Sequence, residues 1–264
     1  MVELDNEIDL YKKLLSYSEE VKDFTKNSLK YHSQLEFSDL NKACYDVIYS
    51  SLKAPIKRQD LFPKIPALKK ECGECWKFYL NPRNKSIIIL DIKLGEKFQE
   101  ALRVFLKGYE IDCRKGDISD KRYPDNAVYN EESVKAYLEV KYQSAPWIYA
   151  YKSNGNLKEC YESSPALDVK KLNQQYELKK TGQINVPIYY VYWLDFPCIK
   201  GLFYISIDEA YALYKKKAEV FDRKEREGDY LEKNNMKVKK ASTEKIHISI
   251  YEMKPFSVLL GDLM

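Results

Sequence analysis

Residues Val186–Leu194 form an almost unbroken apolar run, and this run limits the possible folds more than any other feature of the sequence. A strand buried on both faces of a sheet has this pattern, because side chains that point to opposite faces are then all covered. Chains in which such strands alternate with helical segments belong to the α/β class. We therefore expect helices on either side of this run in the sequence.

Hydrophobic periodicity predicts the elements that surround the run. Helical spacing indicates two or three helices over residues 3–53, a loop or linker over residues 54–70, and a hairpin over Trp76–Ile92. From Gly95 onward the predicted order is helix, three strands, helix and strand, over Gly95–Leu106, Tyr109–Cys113, Tyr123–Tyr129, Val134–Tyr142, Leu167–Lys180 and Val186–Leu194. This order predicts an α/β fold with a central mixed sheet.

The remaining residues predict an extension beyond this core. Leu202–Ile207 has the pattern of a further strand, and Asp208–Lys240 is rich in lysine with helical character and a break at Gly228. One or two final strands are predicted from Lys245 to Leu260. We expect these residues to add to the core from outside.

Composition restricts the class of protein. The chain has 264 residues, of which 45% are hydrophobic and 32% charged, as in globular proteins with a sizeable core. Its net charge of +4 does not by itself indicate nucleic-acid binding. Neither a secretory leader nor a run of about 18 apolar residues is evident, so we expect a cytoplasmic protein with reduced cysteines and no membrane contact.

Several kinds of chemistry are disfavoured by the residues that the sequence lacks. The chain contains two histidines, His32 and His247, and neither lies in a Ser-His-Asp or Cys-His pattern. No GxxxxGK[ST] loop or GxGxxG fingerprint for nucleotides occurs. Cys72 and Cys75 form a lone CxxC without two further zinc ligands at a recognisable spacing, and a turn explains them. Hydrolytic chemistry would have to come from carboxylates, lysines and a metal ion.

The segments Tyr123-Pro-Asp125 and Glu139-Val-Lys141 hold the residues best suited to such chemistry. On neighbouring antiparallel strands, Asp125 and Glu139 would meet at one end of a hairpin. Residues i and i+2 of a strand share a face, so Glu139 and Lys141 project together. Mg²⁺ is commonly held by one or two carboxylates together with waters and a phosphate. The constellation predicts phosphodiester hydrolysis, in which the lysine stabilises negative charge or deprotonates water.

The acid-x-lysine pattern recurs along the chain, so context decides between its copies. Asp91-Ile-Lys93 is the strongest rival, because it ends a predicted strand and Glu74 precedes it across a hairpin. It lacks the flanking helices and strand that accompany Glu139. An exposed ion pair on an edge strand would also explain Glu139 and Lys141, but apolar residues crowd the sequence around them.

The Pro124-Asp125 pair, the Glu139-Val-Lys141 triplet and the element order around them resemble the PD-(D/E)xK nuclease superfamily, which includes most type II restriction endonucleases. The resemblance covers residues 91–207 and implies a restriction-endonuclease-like core. It implies that Asp125, Glu139 and the backbone carbonyl of Val140 hold Mg²⁺, with Mn²⁺ as a substitute. It also implies that Lys141 acts on the attacking water or on the scissile phosphate.

The same resemblance implies additional candidates for the active site. The first core helix of the family often carries a glutamate four residues after its glycine, and here Gln99 holds that place after Gly95. Nearby glutamates could substitute, and the second core helix has glutamines where relatives sometimes place one that contacts the site or DNA. These candidates are Glu96, Glu100, Gln174 and Gln175. A solvated helix surface is the alternative explanation for them.

A self-contained enzyme of this size resembles a type II restriction endonuclease, which would cut double-stranded DNA as a homodimer. A structure-specific or repair and recombination nuclease of the same fold, and a non-catalytic DNA-binding module, are the alternatives. The core would span residues 91–207, between a helical N-terminal region with a hairpin (1–90) and a C-terminal lysine-rich helix and strand extension (208–264).

Basic residues in the C-terminal extension are candidates for contacts with DNA phosphates. The residues that we predict for this role are Lys215, Lys216, Lys217, Arg223, Lys239 and Lys240. Acidic residues are interspersed in the first part of this stretch, so a solvated helix face is an equally good explanation.

Overall fold

The structure, a computed structural model, describes residues 6–29, 35–46, 58–72, 88–143, 165–196, 198–216, 221–222, 230–233, 236–239, 244–248 and 250–264. Its helices are α1 (Glu7–Ser16), α2 (Glu19–Phe24), α3 (Asp39–Tyr45), α4 (Arg58–Leu61), α5 (Ile88–Lys107), α6 (Val169–Lys180), α7 (Ile207–Lys216) and α8 (Phe256–Leu263). Its strands are β1 (Asp112–Lys115), β2 (Asn126–Asn130), β3 (Ser133–Gln143), β4 (Ala166–Asp168), β5 (Ile188–Asp195), β6 (Lys200–Ser206), β7 (Phe221–Asp222), β8 (Tyr230–Lys233), β9 (Met236–Lys239), β10 (Glu244–His247) and β11 (Lys254–Pro255).

A six-stranded sheet with the order β1-β2-β3-β5-β6-β11 forms the centre of the described structure. β3 and β5 are parallel, and the other neighbouring pairs are antiparallel. β5 corresponds to the apolar run and is buried at nearly every position. The predicted α/β fold with a central mixed sheet is therefore confirmed.

Helices cover both faces of this sheet. α1, α5 and α8 pack on the face that carries Leu138, Val191 and Trp193. α6 and α7 pack on the opposite face, which carries Tyr190 and Tyr192. Because alternate residues of β5 enter different clusters, this one strand contributes to both halves of the core. Each large apolar side chain that is fully buried stabilises the fold by roughly 1.5–3 kcal/mol.

The elements from α5 onward follow the predicted order of helix, three strands, helix and strand: α5, β1, β2, β3, α6 and β5. α6 belongs to the crossover that a parallel β3–β5 pair requires, because a tight hairpin joins only antiparallel strands. The short strand β4 precedes α6 and pairs with β10 in a separate sheet of order β4-β10-β7. β8 and β9 form an antiparallel pair of their own.

The predicted hairpin over Trp76–Ile92 is wrong in its second half. α5 begins at Ile88, and residues 73–87 lie outside the described part. This segment contains a run of isoleucines, which favour strands, but the helix continues without interruption to Lys107. The rival triplet Asp91-Ile-Lys93 consequently lies on a helix. Residues i and i+2 of a helix do not face each other, so this triplet lacks the shared face that the strand reading required.

Three further predictions at the periphery differ from the structure. The predicted loop over residues 54–70 contains α4, and residues 66–72 are helical. The predicted helix over Asp208–Lys240 ends at Lys216, and Met236–Lys239 is a strand, in keeping with its alternation of apolar and charged residues. The strands predicted between Lys245 and Leu260 are present as β10 and β11, but the segment ends in α8, whose apolar residues recur at helical spacing and are buried: Phe256, Leu259, Leu260 and Leu263.

Candidate active site

The antiparallel β2–β3 hairpin brings the predicted acids together. Asn126 is paired with Leu138, so Asp125 lies just before β2 at the end where Glu139 follows on β3. Oδ2 of Asp125 accepts a hydrogen bond from the backbone N–H of Val140, at 2.8 Å. Val140 packs into the cluster on the α5 side of the sheet, whereas Glu139 points to the α6 side. The shared face predicted for Glu139 and Lys141 is present.

Glu139 is the centre of the cluster and is only 2% exposed. Its Oε1 accepts a hydrogen bond from Lys141 Nζ at 2.6 Å, and its Oε2 accepts one from Gln175 Nε2 at 2.7 Å. Lys171 Nζ lies 3.5 Å from the same Oε2. Burial alone would raise the pKa of Glu139, but the positive charges of Lys141 and Lys171 outweigh it and hold the pKa below its usual range. Glu139 is therefore an anion at neutral pH.

Asp125 has the opposite behaviour. Burial and then the negative charge of Glu139 raise the pKa of Asp125 to about 7, although Lys141 and the N–H of Val140 partly oppose them. The two carboxylates thus share a volume in which their charges repel each other. A bound cation would relieve this repulsion and would favour the ionised form of both groups.

The ammonium group of Lys141 is held in its charged form. Burial by itself lowers the pKa of Lys141, but the charges of Glu139 and Asp125 are stronger and raise the pKa above its ordinary value. Lys141 therefore keeps its proton at neutral pH. It is equipped to donate hydrogen bonds and to offset negative charge, and it is poorly suited to accept a proton from water.

The backbone at Gly116 lies very close to the backbone of Pro124 and Asp125. Its N–H donates to the carbonyl of Asp125 at 2.8 Å. A Cβ atom on Gly116 would lie 2.1 Å from the carbonyl oxygen of Pro124, which is far closer than any real contact. Residues 117–124 consequently form a loop whose two ends are joined at Gly116 and Asp125. This role could not be predicted from the sequence, because it depends on a tertiary contact.

Lys171 is a second residue whose role could not be predicted from the sequence. From the first turn of α6, its Nζ donates to the backbone carbonyls of Lys121 and Tyr123, each at 3.0 Å, in addition to its approach to Glu139. One ammonium thus connects α6, β3 and the loop that leads into Asp125. The only signal in the sequence was a lysine at the start of a predicted helix.

Of the two candidate glutamines, the structure brings Gln175 to the acids. Gln175 is fully buried, and its Oε1 accepts a hydrogen bond from the hydroxyl of Tyr190 at 2.6 Å while its Nε2 donates to Glu139. Gln174 neighbours it on α6 and is half-buried. Because adjacent helical residues point in different directions, Gln174 does not share the direction of Gln175.

The two candidate glutamates of the first core helix lie elsewhere. Glu96 and Glu100 are exposed on α5, which covers the face of the sheet opposite to the one that carries Glu139. Glu100 is engaged in an ion pair with Arg103, and Arg103 donates to the side chain of Asn126 at 2.5 Å. Among the described residues, the acidic groups that surround the Lys141 ammonium are instead Glu139, Asp125 and Asp168.

The donor set of the site suits a hard divalent cation. Mg²⁺ is usually bound by one or two carboxylates plus waters and substrate oxygens, and a protein cage of many side chains is not required. Asp125 and Glu139 supply the carboxylates. The N–H of Val140 points to the β2 side of β3, and the N–H and C=O of one strand residue face the same neighbour. The carbonyl of Val140 is thus directed to the edge where Asp125 lies.

Within the described ranges, the proposed site included, no group of three or more His, Cys, Asp and Glu side chains is arranged to hold a metal ion. Cys72 is half-buried and Cys75 falls outside the described residues, so the CxxC prediction remains open. None of the helices in the described ranges has the length and apolar character needed to cross a membrane.

The basic residues predicted to contact DNA are only partly described. Lys215 and Lys216 are exposed at the end of α7, where the Nζ of Lys215 lies 5.1 Å from the ring centre of Tyr211. Lys239 is exposed on β9. Lys217, Arg223 and Lys240 lie outside the described residues. Their proposed role in phosphate binding stays a prediction.

Comparison with known proteins gives no sequence match: no family model and no curated protein matches the chain. Solved structures that are similar in fold include the following two. The Holliday junction resolvase Hjc of Archaeoglobus fulgidus has 14% identity and a TM-score of 0.34, with 63% of this chain and 95% of that chain covered. D212, a nuclease from a fusselovirus, has 13% identity and a TM-score of 0.34, with 65% and 88% covered.

Likenesses at this level of identity and TM-score do not assign an activity. The chain's own features are more informative: the Pro-Asp pair, the Glu-Val-Lys triplet and the order of α5, β1, β2, β3, α6 and β5. In these features the chain resembles the PD-(D/E)xK nuclease superfamily.

Proposed function

We propose that the protein is a metal-dependent deoxyribonuclease that hydrolyses phosphodiester bonds at Asp125, Glu139 and Lys141. One observation carries the proposal: Asp125 is bonded to the backbone of β3 beside Glu139, and the Glu139 carboxylate contacts Lys141. A buried acid, a half-buried acid and a charged lysine thus occupy one small volume. Keeping such groups together costs free energy, which a catalytic site explains better than a purely structural ion pair does.

Asp125, Glu139 and the carbonyl of Val140 would hold Mg²⁺ or Mn²⁺. When bound, such an ion neutralises charge on a phosphate and makes water a stronger nucleophile at neutral pH. The protein's part is to fix its own donors. The N–H of Val140 sets the direction of the Asp125 carboxylate, and Gln175 does so for Glu139.

Lys141 would stabilise the negative charge that develops on the phosphate. In the metal-free protein its raised pKa keeps the proton on Nζ at neutral pH, which favours this role over that of general base. Its bond to Glu139 also fixes its direction, because both residues project from the same face of β3.

The first test is cleavage of phage DNA by the purified protein with Mg²⁺ or Mn²⁺, with a chelator as the negative control. We expect cleavage that Asp125→Ala and Lys141→Ala abolish. The matched control is Asp91→Ala combined with Lys93→Ala, which removes the same residue types from the helical triplet on α5. Cleavage by Asp125→Ala at the wild-type rate would contradict the proposal.

Within this function, we propose cleavage of double-stranded DNA at a specific sequence by a homodimer, as in type II restriction endonucleases. The alternative is a nuclease that recognises branched or broken DNA. A panel of plain duplexes, junctions and flaps separates them. A constant fragment pattern from every duplex that carries the site supports sequence-specific cleavage, whereas cutting confined to branched substrates supports the alternative.

The second alternative is a module that binds DNA without cutting it, for which we expect no metal binding that depends on Glu139. Calorimetry with Mn²⁺ and no DNA tests this directly. Binding that Glu139→Gln abolishes supports the nuclease, whereas DNA binding with no metal binding supports a non-catalytic module.

A further inference from the structure

A buried layer of polar groups lies beneath the proposed metal site. Tyr190 on β5 is paired with Glu139 on β3 in the parallel register, and both side chains face α6. The two do not bond directly. Gln175 lies between them, accepting from the Tyr190 hydroxyl at 2.6 Å and donating to Glu139 at 2.7 Å. The side chains of all three residues are buried, with Tyr190 and Gln175 completely inaccessible.

The direction of the Gln175 amide is important for Glu139. A side-chain amide has a donor end and an acceptor end, and only the donor end stabilises a carboxylate. If the amide were reversed, its carbonyl oxygen would face an anion inside the protein. The hydroxyl of Tyr190 donates a hydrogen bond to the carbonyl end of the Gln175 amide. Both ends of the amide are then hydrogen-bonded in the orientation in which its N–H group faces Glu139.

We infer that Tyr190 is a positioning residue for the proposed metal site: its hydroxyl holds the Gln175 amide in the orientation that fixes the Glu139 carboxylate. This inference rests on the proposed function, because it takes metal binding as the reason why Glu139 is held in place. Tyr190 itself touches neither metal nor DNA, since it is completely buried.

The chain provides a closely matched control in Tyr192. It lies two residues further along β5, faces the same side of the sheet and is also completely buried. Within the described part of the chain, its hydroxyl has no hydrogen-bond partner. Removing the hydroxyl of Tyr192 therefore deletes the same atom from the same environment but breaks no bond to Gln175.

The experiment compares Tyr190→Phe, Tyr192→Phe, Gln175→Met and the double variant Tyr190→Phe/Gln175→Met. Mn²⁺ affinity is measured by calorimetry on each full-length protein without DNA. We expect Tyr190→Phe to weaken binding about 10-fold, the lower end of the effects known for groups that orient metal ligands, and Tyr192→Phe to leave it unchanged. Because Tyr190 acts through Gln175, the double variant should bind no more weakly than Gln175→Met.

A second measurement follows the amide itself. In nitrogen–proton NMR spectra, the Gln175 side-chain signals are identified by their disappearance in Gln175→Met. A charge-assisted hydrogen bond to Glu139 should shift one of them downfield and slow its exchange. Tyr190→Phe should remove both effects, and Tyr192→Phe should preserve them.

Equal Gln175 signals and equal Mn²⁺ affinities in Tyr190→Phe and Tyr192→Phe would overturn the inference. So would independent, multiplying losses in the double variant. Failure of the proposed function is distinguishable, because wild-type protein would then bind no Mn²⁺ while the NMR comparison still decides whether Tyr190 orients the amide.

Discussion

The carboxylate of Asp125 accepts a hydrogen bond from the backbone N–H of Val140 at 2.8 Å, across the end of the β2–β3 hairpin. Asp125 lies before the first ladder pair of β2, which joins Asn126 to Leu138. Beyond this pair, the side chain of Asp125 bonds to β3 where the backbone of a further β2 residue would otherwise do so. The distance between the two acids is consequently set by backbone geometry as well as by side-chain rotamers, which favours a constant site.

Replacing Asp125 by Asn should make the metal-free protein less sensitive to pH. The pKa of Asp125 is about 7 in the fold and about 3.9 in an unfolded chain, because burial and Glu139 disfavour its charge. A raised folded pKa contributes stability below about pH 4 that is lost as pH rises towards 7. In the presence of a chelator, the variant should therefore gain stability relative to wild type between pH 5 and pH 8, as measured by urea unfolding.

Asp117→Asn is the control for this comparison. Hydrogen bonds from Ser119 lower the pKa of Asp117 from its ordinary value, so this group titrates below pH 4 in both states. Its stability difference from wild type should be the same at pH 5 and pH 8. If the stability difference between Asp125→Asn and wild type were also the same at pH 5 and pH 8, Glu139 would not raise the pKa of Asp125 as described.

Lys141→Met should separate catalysis from metal binding. The methionine preserves the buried stem but removes the charge that would face the phosphate, so kcat should fall by about 10²–10³ fold, the range for loss of one donor to a developing anion. Mn²⁺ affinity measured without DNA should fall much less, because Lys141 is a partner of Glu139 and not a ligand. Lys93→Met on α5 should cleave normally. A Lys141→Met enzyme with unchanged kcat would exclude this role.

Gly116→Ala should displace Asp125 and lower the stability of the fold. The added Cβ would lie 2.1 Å from the backbone oxygen of Pro124, and a backbone atom does not give way cheaply. We expect a loss of about 1–3 kcal/mol in the free energy of unfolding, with weaker metal binding. Gly95→Ala is the opposite case, because Gly95 lies in α5 with nothing within 4 Å of its Cβ position. Thermal unfolding should show a gain there of up to about 1 kcal/mol.

Lys171→Met should loosen the loop that leads into Asp125. The substitution removes the donors to the carbonyls of Lys121 and Tyr123 while it preserves the side-chain stem. Hydrogen exchange of the amides in residues 117–124 should become faster. Lys170→Met, at the neighbouring exposed position on α6, should leave these amides protected as in wild type. Unchanged exchange in both variants would show that the loop is held without the ammonium.

The core could be predicted from the sequence where the signal lies in residues that are close together along the chain, such as hydrophobic periodicity or a single hairpin. The order from α5 to β5 followed from apolar patterns, and the meeting of Asp125 with Glu139 followed from the alternation of strand residues across one hairpin. The contributions of Gly116, Lys171 and Tyr190 were not predictable in the same way. Each depends on a contact outside the residue's own helix, strand or turn, for which a single sequence contains no signal.

The failed predictions have a related cause. The isoleucines at the start of α5 have high strand propensity, but they lie in a helix whose buried face begins at Leu94, and Ile89 and Ile92 are themselves exposed. Beyond α7, lysine-rich sequence suggested helix where β8 and β9 pair instead. The division of the chain at residues 90 and 207 stays a prediction, although α1 and α8, which lie outside the proposed core, pack into the same cluster as α5.

The connections of β3 to its two neighbouring strands affect the order in which parts of the site form during folding. A tight turn joins β3 to β2, so the acidic couple belongs to a local hairpin, whereas β5 reaches β3 only by way of the crossover that contains α6. Contacts between distant segments form slowly, because a long loop must close first. During refolding, the hairpin should therefore appear before Gln175 reaches Glu139, and tight binding of a divalent ion should be among the last properties that the chain acquires.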